Sequence, residues 1–182
     1  MAELAAIILA AGKGTRMKSK LPKVLHQVCG KPMLEHVLEA ADEAGADDKV
    51  VIVGFGSEKV TDFLGTRARV AIQSEQLGTG HAVLQTRDLL GTEPGTALIL
   101  CGDTPLLEGA ELKKFYETHL ASGAGVSVLT AIAPEPFGYG RILRNELGQV
   151  TGIVEEKDAT PEQRKIQEIN TGIYCAEMPL LF

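Results

Sequence analysis

Apolar and polar positions alternate along this chain in two rhythms. Leu4 to Ala11 is an unbroken apolar run, as expected of a strand covered on both faces. From Pro32 to Ala44 the period changes. Met33, Leu34, Val37, Leu38, Ala41 and Ala44 make one apolar stripe, with Glu35, Glu39 and Asp42 opposite. Pro32 suits the first turn of this predicted helix and Gly45 its end. Lys49 to Gly54 reads as a second buried strand, Ser57 as the cap of a short helix to Leu64, and Val70 to Gln73 as a third strand. A helix opens at Leu77-Gly-Thr-Gly-His81 and runs to about Leu90. Thr96 to Cys101, the most apolar strand, is followed by a helix over Glu108 to Leu120 and a strand over Gly125 to Ala133. This alternation implies an α/β protein: a Rossmann-like three-layer fold with a mostly parallel, mixed central sheet. After Pro134 the pattern becomes a hairpin, 138–142 and 148–154, turning at Asn145 to Gly148. A charged stretch at 155–158, a helical turn at 161–166 and a last strand at 169–174 follow.

Composition narrows this picture. The chain has 182 residues, long enough for one domain with a sizeable core, and no apolar stretch of membrane-spanning length. The N-terminus is acidic at Glu3 and carries no signal-peptide pattern. Three separated cysteines, Cys29, Cys101 and Cys175, read as reduced thiols of a cytoplasmic protein. A net charge of −6 argues against nucleic acid as a partner. Six of the 18 basic side chains nevertheless lie in residues 1–34, against Glu3 alone. They surround a glycine loop after the first strand, which favours an anion site.

That loop is Gly12-Lys-Gly-Thr-Arg16, with Lys23 shortly after. Glycine permits positive φ and close approach of backbone N–H groups to an anion. In open α/β sheets ligands sit beyond the carboxyl ends of strands, where this loop lies. It is neither a P-loop nor a dinucleotide fingerprint, because the required spacings are absent. Taken alone, it is an anion cradle or simply a tight turn. Asp103, following the strand at Thr96–Cys101, has two readings: a carboxylate for Mg²⁺ beside nucleotide phosphates, or the cap of the next helix. Gln73, Gly78, Thr79, Gly140, Arg141, Glu155 and Asn170 stand at further strand ends, where they line a sugar or base pocket or form turns.

Leu9 to Met17 with Pro22-Lys-Val-Leu25 resembles the signature of sugar-1-phosphate nucleotidylyltransferases. The blocks at 75–82, 138–142, 152–158 and 167–172 are similar to the uridylyltransferase half of the bacterial bifunctional N-acetylglucosamine-1-phosphate uridyltransferase/glucosamine-1-phosphate acetyltransferases. The resemblance extends from Leu4 to Tyr174. It implies reaction of UTP with N-acetylglucosamine 1-phosphate, giving UDP-N-acetylglucosamine and pyrophosphate for cell-wall precursors. It also implies residue roles. Leu9, Ala10, Ala11 and Gly12 hold the nucleotide through backbone; Gln73, Gly78 and Thr79 recognise uracil. Asp103 is an Mg²⁺ ligand, Gly140, Glu155 and Asn170 bind the sugar, and Arg16 and Lys23 contact the phosphates. Such chemistry aligns two polyanions and offsets charge on a leaving group, which calls for arginine, lysine and Mg²⁺ rather than a cysteine nucleophile. The cysteines and histidines therefore read as structural.

Two departures accompany the resemblance. The family's second metal-binding asparagine lies downstream of the Asn170 block, beyond this chain. The hexapeptide β-helix that carries acetyl transfer and trimerisation is absent too. The expectation is a nucleotidyltransferase domain over 1–182, cut short at its C-terminal end and of open oligomeric state. A relative using dTTP or CTP, or an inactive nucleotide-sugar sensor, is the alternative.

Overall fold

The computed structural model describes residues 4–12, 14, 17–54, 56–91 and 94–182. The strands are β1 (Leu4–Ala10), β2 (Gln27–Val28), β3 (Lys31–Pro32), β4 (Asp48–Val53), β5 (Arg69–Ile72), β6 (Thr96–Cys101), β7 (Val126–Ile132), β8 (Arg141–Arg144), β9 (Val150–Val154) and β10 (Glu168–Glu177). The helices are α1 (Met33–Glu43), α2 (Ser57–Leu64), α3 (Thr79–Leu84), α4 (Arg87–Leu90), α5 (Gly109–Ser122) and α6 (Met178–Leu181). Two compact units form, Met1–Ser127 with Tyr174–Phe182, and Val128–Ile173. Among the described residues no helix is long and apolar enough to cross a membrane.

The first unit is built on parallel strands in the order β5-β4-β1-β6, with the end of β10 antiparallel to β6. This is the mostly parallel, mixed sheet that the alternation implies. The apolar runs of β1, β4 and β6 follow from cover on both faces. Ala5, Ile7, Val50, Ile52, Ala97 and Ile99 meet Ala82 and Val83 of α3 and Met178 of α6 on one face, with Leu89 and Leu90 of α4. Ala6, Ile8, Val51, Val53, Leu98 and Leu100 alternate with them and are equally buried. The apolar stripe of α1 is also buried, and α1 packs on β1 and α5. That packing is close enough to require Gly109, where a Cβ would lie 2.3 Å from Glu43 Cβ.

Several boundaries differ from the sequence pattern. The segment from Leu77 to Leu90 is not one helix. It breaks after Leu84, where the Thr86 hydroxyl donates to Val83 O at 2.7 Å and α4 starts anew. Ser57 does not cap α2; Gly56 precedes the helix at φ 68, where a Cβ would meet Pro22 Cγ at 2.6 Å. The β2–β3 hairpin turns through Cys29 (φ 51) and Gly30 (φ 82). The last strand is longer than expected, reaching Glu177.

The second unit is the predicted hairpin with strands beside it. β8 pairs antiparallel with β9 and with the start of β10. Thr171 Oγ1 donates to Leu129 O at 2.6 Å, joining β10 to β7. The turn at 145–148 is held by Asn145, whose Oδ1 accepts from Leu147 N and Gln149 N, and by Gly148 at φ 76.

Candidate functional site

The carboxyl end of β1 and β6 opens onto two cavities. One of about 470 Å³ is lined by Leu9, Ala10, Gly12, Gly14, Met17, Lys23, Val24 and Asp103. The other, of about 350 Å³, adds Ala11, Gln73, Gln76, Gly78, Thr79, Ala82 and Cys101, and shares Leu9, Gly12 and Asp103 with the first. The strands fix this edge: Leu9 stands opposite Cys101, and Gly102 N donates to Leu9 O at 3.0 Å. Gly102 has to be small, since a Cβ there would lie 3.1 Å from Leu9 O and 3.3 Å from Val24 Cγ1.

Asp103 follows directly in a tight turn, with Thr104 Oγ1 donating to Cys101 O at 2.7 Å. It does not cap the next helix, because α5 starts at Gly109 after Glu108. Its carboxylate instead accepts from the Lys23 ammonium, 80 residues away in sequence. Both side chains keep about a third of their surface open. Burial pushes the Cys101 thiol up, the Asp103 charge pushes it further, and Lys23 opposes both. A thiol so held is protonated and a poor nucleophile.

The two glycines of the loop act differently. Gly14 sits at φ +56, and a Cβ there would lie 2.8 Å from Lys23 Cβ. Gly12 does not take a positive φ, and a Cβ on it would point into open space. Its lack of a side chain leaves both cavities open. Arg16 and Lys13 lie outside the described residues.

On the other side of the edge, Gln73 is 5% exposed. Its amide donates to Gly78 O at 3.1 Å and lies 3.2 Å from His81 Nδ1. Gly78 takes φ 105 immediately before α3, placing Thr79 at the first position of that helix. Gln76, which sequence reasoning passed over as part of a block, donates from Nε2 to Ala11 O at 2.6 Å. It ties the 73–79 segment to the end of β1. No local spacing could have announced a contact 65 residues apart.

In the second unit Gly140, Glu155 and Asn170 are brought together. A Cβ on Gly140 would lie 3.1 Å from Glu155 Oε1 and 3.5 Å from Asn170 Cβ, and Asn170 N donates to Gly140 O at 2.8 Å. Behind them lies Arg141, 1% exposed. Its guanidinium donates to Tyr139 O, to Glu156 Oε2 at 2.6 Å and to Arg164 O at 3.4 Å. Glu156 also accepts from Gly138 N at 3.2 Å, and these bonds, the Arg141 bond foremost, hold its carboxyl below the usual range. Sequence reading named Arg141 among strand-end residues but not this role.

Among the described residues no three His, Cys, Asp or Glu side chains converge as a metal cage. The donor set fits Mg²⁺ in another way, since that ion takes one or two carboxylates and completes its octahedron with phosphate oxygens and water. Asp103, at the rim of both cavities, is such a carboxylate.

The chain is 56% identical over 177 residues to the bifunctional protein GlmU of Limosilactobacillus reuteri, covering 97% of this chain and 39% of that protein. It thus spans about two fifths of the length of that relative. A solved structure of a Bacillus anthracis protein in complex with sucrose superposes with a TM-score of 0.80 at 22% identity, over 98% of this chain and 73% of the other. UDP-glucose pyrophosphorylase, solved with UDP-glucose, superposes at 0.77 and 21% identity over 97% and 76%. These two likenesses establish the fold. Residues 6–166, spanning both cavities and the Gly140–Glu155 pair, match the MobA-like NTP transferase domain, and the chain belongs to that family.

Proposed function

We propose that this chain transfers the uridylyl group of UTP to N-acetylglucosamine 1-phosphate, giving UDP-N-acetylglucosamine and pyrophosphate. The observation that carries the reading is the Lys23–Asp103 pair at the open edge of β1 and β6, beside a glycine loop. The identity to bifunctional relatives along nearly the whole chain supports the same activity.

A phosphate oxygen of the sugar phosphate attacks the α-phosphorus of UTP. The bond to the bridging oxygen breaks, and pyrophosphate leaves with the electron pair. No covalent enzyme intermediate is required. The chain's task is to align two polyanions and meet the charge that develops on the leaving group. Leu9, Ala10, Ala11 and Gly12 offer backbone to the nucleotide, Arg16 and Lys23 offer positive charge to its phosphates, and Gln73, Gly78 and Thr79 receive the uracil. Asp103 would hold Mg²⁺, which supplies charge neutralisation at the phosphates when bound. In the free protein the Lys23 ammonium neutralises this carboxylate. Phosphate oxygens then draw the ammonium away and free Asp103. Gly140, Glu155 and Asn170 receive the N-acetyl sugar. The reaction belongs in the cytoplasm, which suits thiols held outside any disulfide at Cys29, Cys101 and Cys175.

The test is pyrophosphate release with Mg²⁺, four nucleoside triphosphates and a panel of sugar 1-phosphates. The expected outcome is fastest release with UTP and N-acetylglucosamine 1-phosphate. Faster release with dTTP, CTP or glucose 1-phosphate would overturn the assignment.

A further inference from the structure

His81 lies in the first turn of α3 and takes no part in the chemistry above. Its ring is nevertheless placed between two amides. Gln73 Nε2 lies 3.2 Å from Nδ1, while Gln85 Nε2 donates to His81 O at 3.0 Å and lies 3.3 Å from Nε2. We infer that His81 is a positioning residue for nucleobase choice, which turns the Gln73 amide oxygen toward the base. The inference rests on the uridylyl reading.

Gly78 O can only accept, so the group 3.1 Å from it on Gln73 must be the NH₂ end. That contact uses one N–H. The other meets His81 Nδ1, which accepts when the ring carries its proton on Nε2; Gln85, whose NH₂ is fixed by donation to His81 O, then gives Nε2 a contact and no hydrogen bond. With both donors engaged, the planar amide has its oxygen on the remaining side. Backbone bonding of Gln73 N to Val53 O at 2.8 Å holds the residue at the cavity wall. An acceptor presented there suits the N3–H of uracil and opposes the N3 lone pair of cytosine. Discrimination therefore depends on an orientation that neither Gln73 nor Thr79 sets alone.

The test measures dissociation constants of the Mg²⁺ salts of UTP and CTP for the whole chain and three variants. His81→Leu removes the acceptor. His81→Asn returns an oxygen near the Nδ1 position, and His81→Gln places its polar end nearer the Nε2 position. One of two orienting hydrogen bonds is lost in the leucine variant, so the preference for UTP over CTP should fall by about 3- to 10-fold, chiefly through weaker UTP binding. The asparagine variant should return it to within about 2-fold of the wild type, and the glutamine variant should not. An unchanged preference in His81→Leu overturns the inference, as does an equal loss in the asparagine and glutamine variants, which would make the ring a space-filler. Should the leucine variant fail to fold, the asparagine–glutamine pair decides alone. A wild-type chain with no preference for UTP overturns the uridylyl reading itself, a result distinct from a wild-type preference that His81→Leu leaves unmoved.

Discussion

β1 and β9 both lead into proposed ligand-binding residues, but their supports are opposite in kind. β1 is buried along nearly its whole length, between α3, α4 and α6 on one face and α1 on the other. The described positions just after it, Ala11 and Gly12, continue from that packed strand, and among the described residues the Lys23–Asp103 ion pair stands at the rim. β9 is largely exposed, as are Phe137 and Leu147 beside the hairpin. There the segment carrying Gly140 and Glu155 is held by a buried guanidinium and a partly exposed carboxylate. A site at the end of a strand covered on both faces inherits its geometry from hydrophobic burial. One beside an open face needs a charged pin, and so inherits a dependence on pH.

This contrast can be broken at four points. The largest effect is expected at the ionic rim of the first unit. Asp103→Asn should reduce turnover by about 10²–10³, the loss typical of one transition-state stabiliser, and shift the Mg²⁺ titration of pyrophosphate release upward. An unchanged Mg²⁺ titration would remove Asp103 from the metal site. Next is the apolar support itself. Leu34→Ala in α1, a fully buried truncation, should cost about 2–5 kcal/mol in denaturant unfolding. Third is the charged pin. Arg141 holds the Glu156 carboxyl below its ordinary value of 4.5, so the stabilisation is complete above that pH and fades as pH falls through the lowered value. Wild type should melt above Glu156→Gln at neutral pH, and the gap should close progressively below pH 4.5. A gap of constant size down to strong acid would show that the pin contributes shape alone. The smallest effect is expected on the open face, where Phe137 is 83% exposed: Phe137→Ser should change unfolding stability by no more than about 0.5 kcal/mol.

What could be read from sequence follows the same division. The strands β1, β4 and β6 were legible because burial on both faces writes a continuous apolar run, and α1 because one-sided burial writes a stripe of period 3.6. The break between α3 and α4 was not, since Thr86 ends the helix by bonding backward, a choice its sequence context leaves open. Ser57 looked like a cap because serine often is one, but the N-cap position falls on the left-handed Gly56, which makes no side-chain cap bond. The two-residue strands β2 and β3 are too short to carry a period. In the candidate site, the strand-end position of Asp103 and the glycine spacing were visible. The Lys23–Asp103 ion pair and the Gln76 bond to Ala11 join residues 80 and 65 positions apart. Only the parallel register of β1 with β6 and β4 brings their ends together.

Gly14 carries a consequence for how this loop can vary through descent. The methylenes of Lys23 occupy the space that any side chain at position 14 would need. A replacement there would displace the lysine before it touched a nucleotide, so changes at 14 and 23 should be strongly non-additive. With Lys23 intact, position 14 is closed to substitution. Shortening the lysine does not reopen it, because the atom in the way is the Lys23 Cβ, which every residue but glycine carries, and the positive φ favours glycine besides. A lineage can therefore alter the end of the Lys23 side chain while position 14 stays fixed.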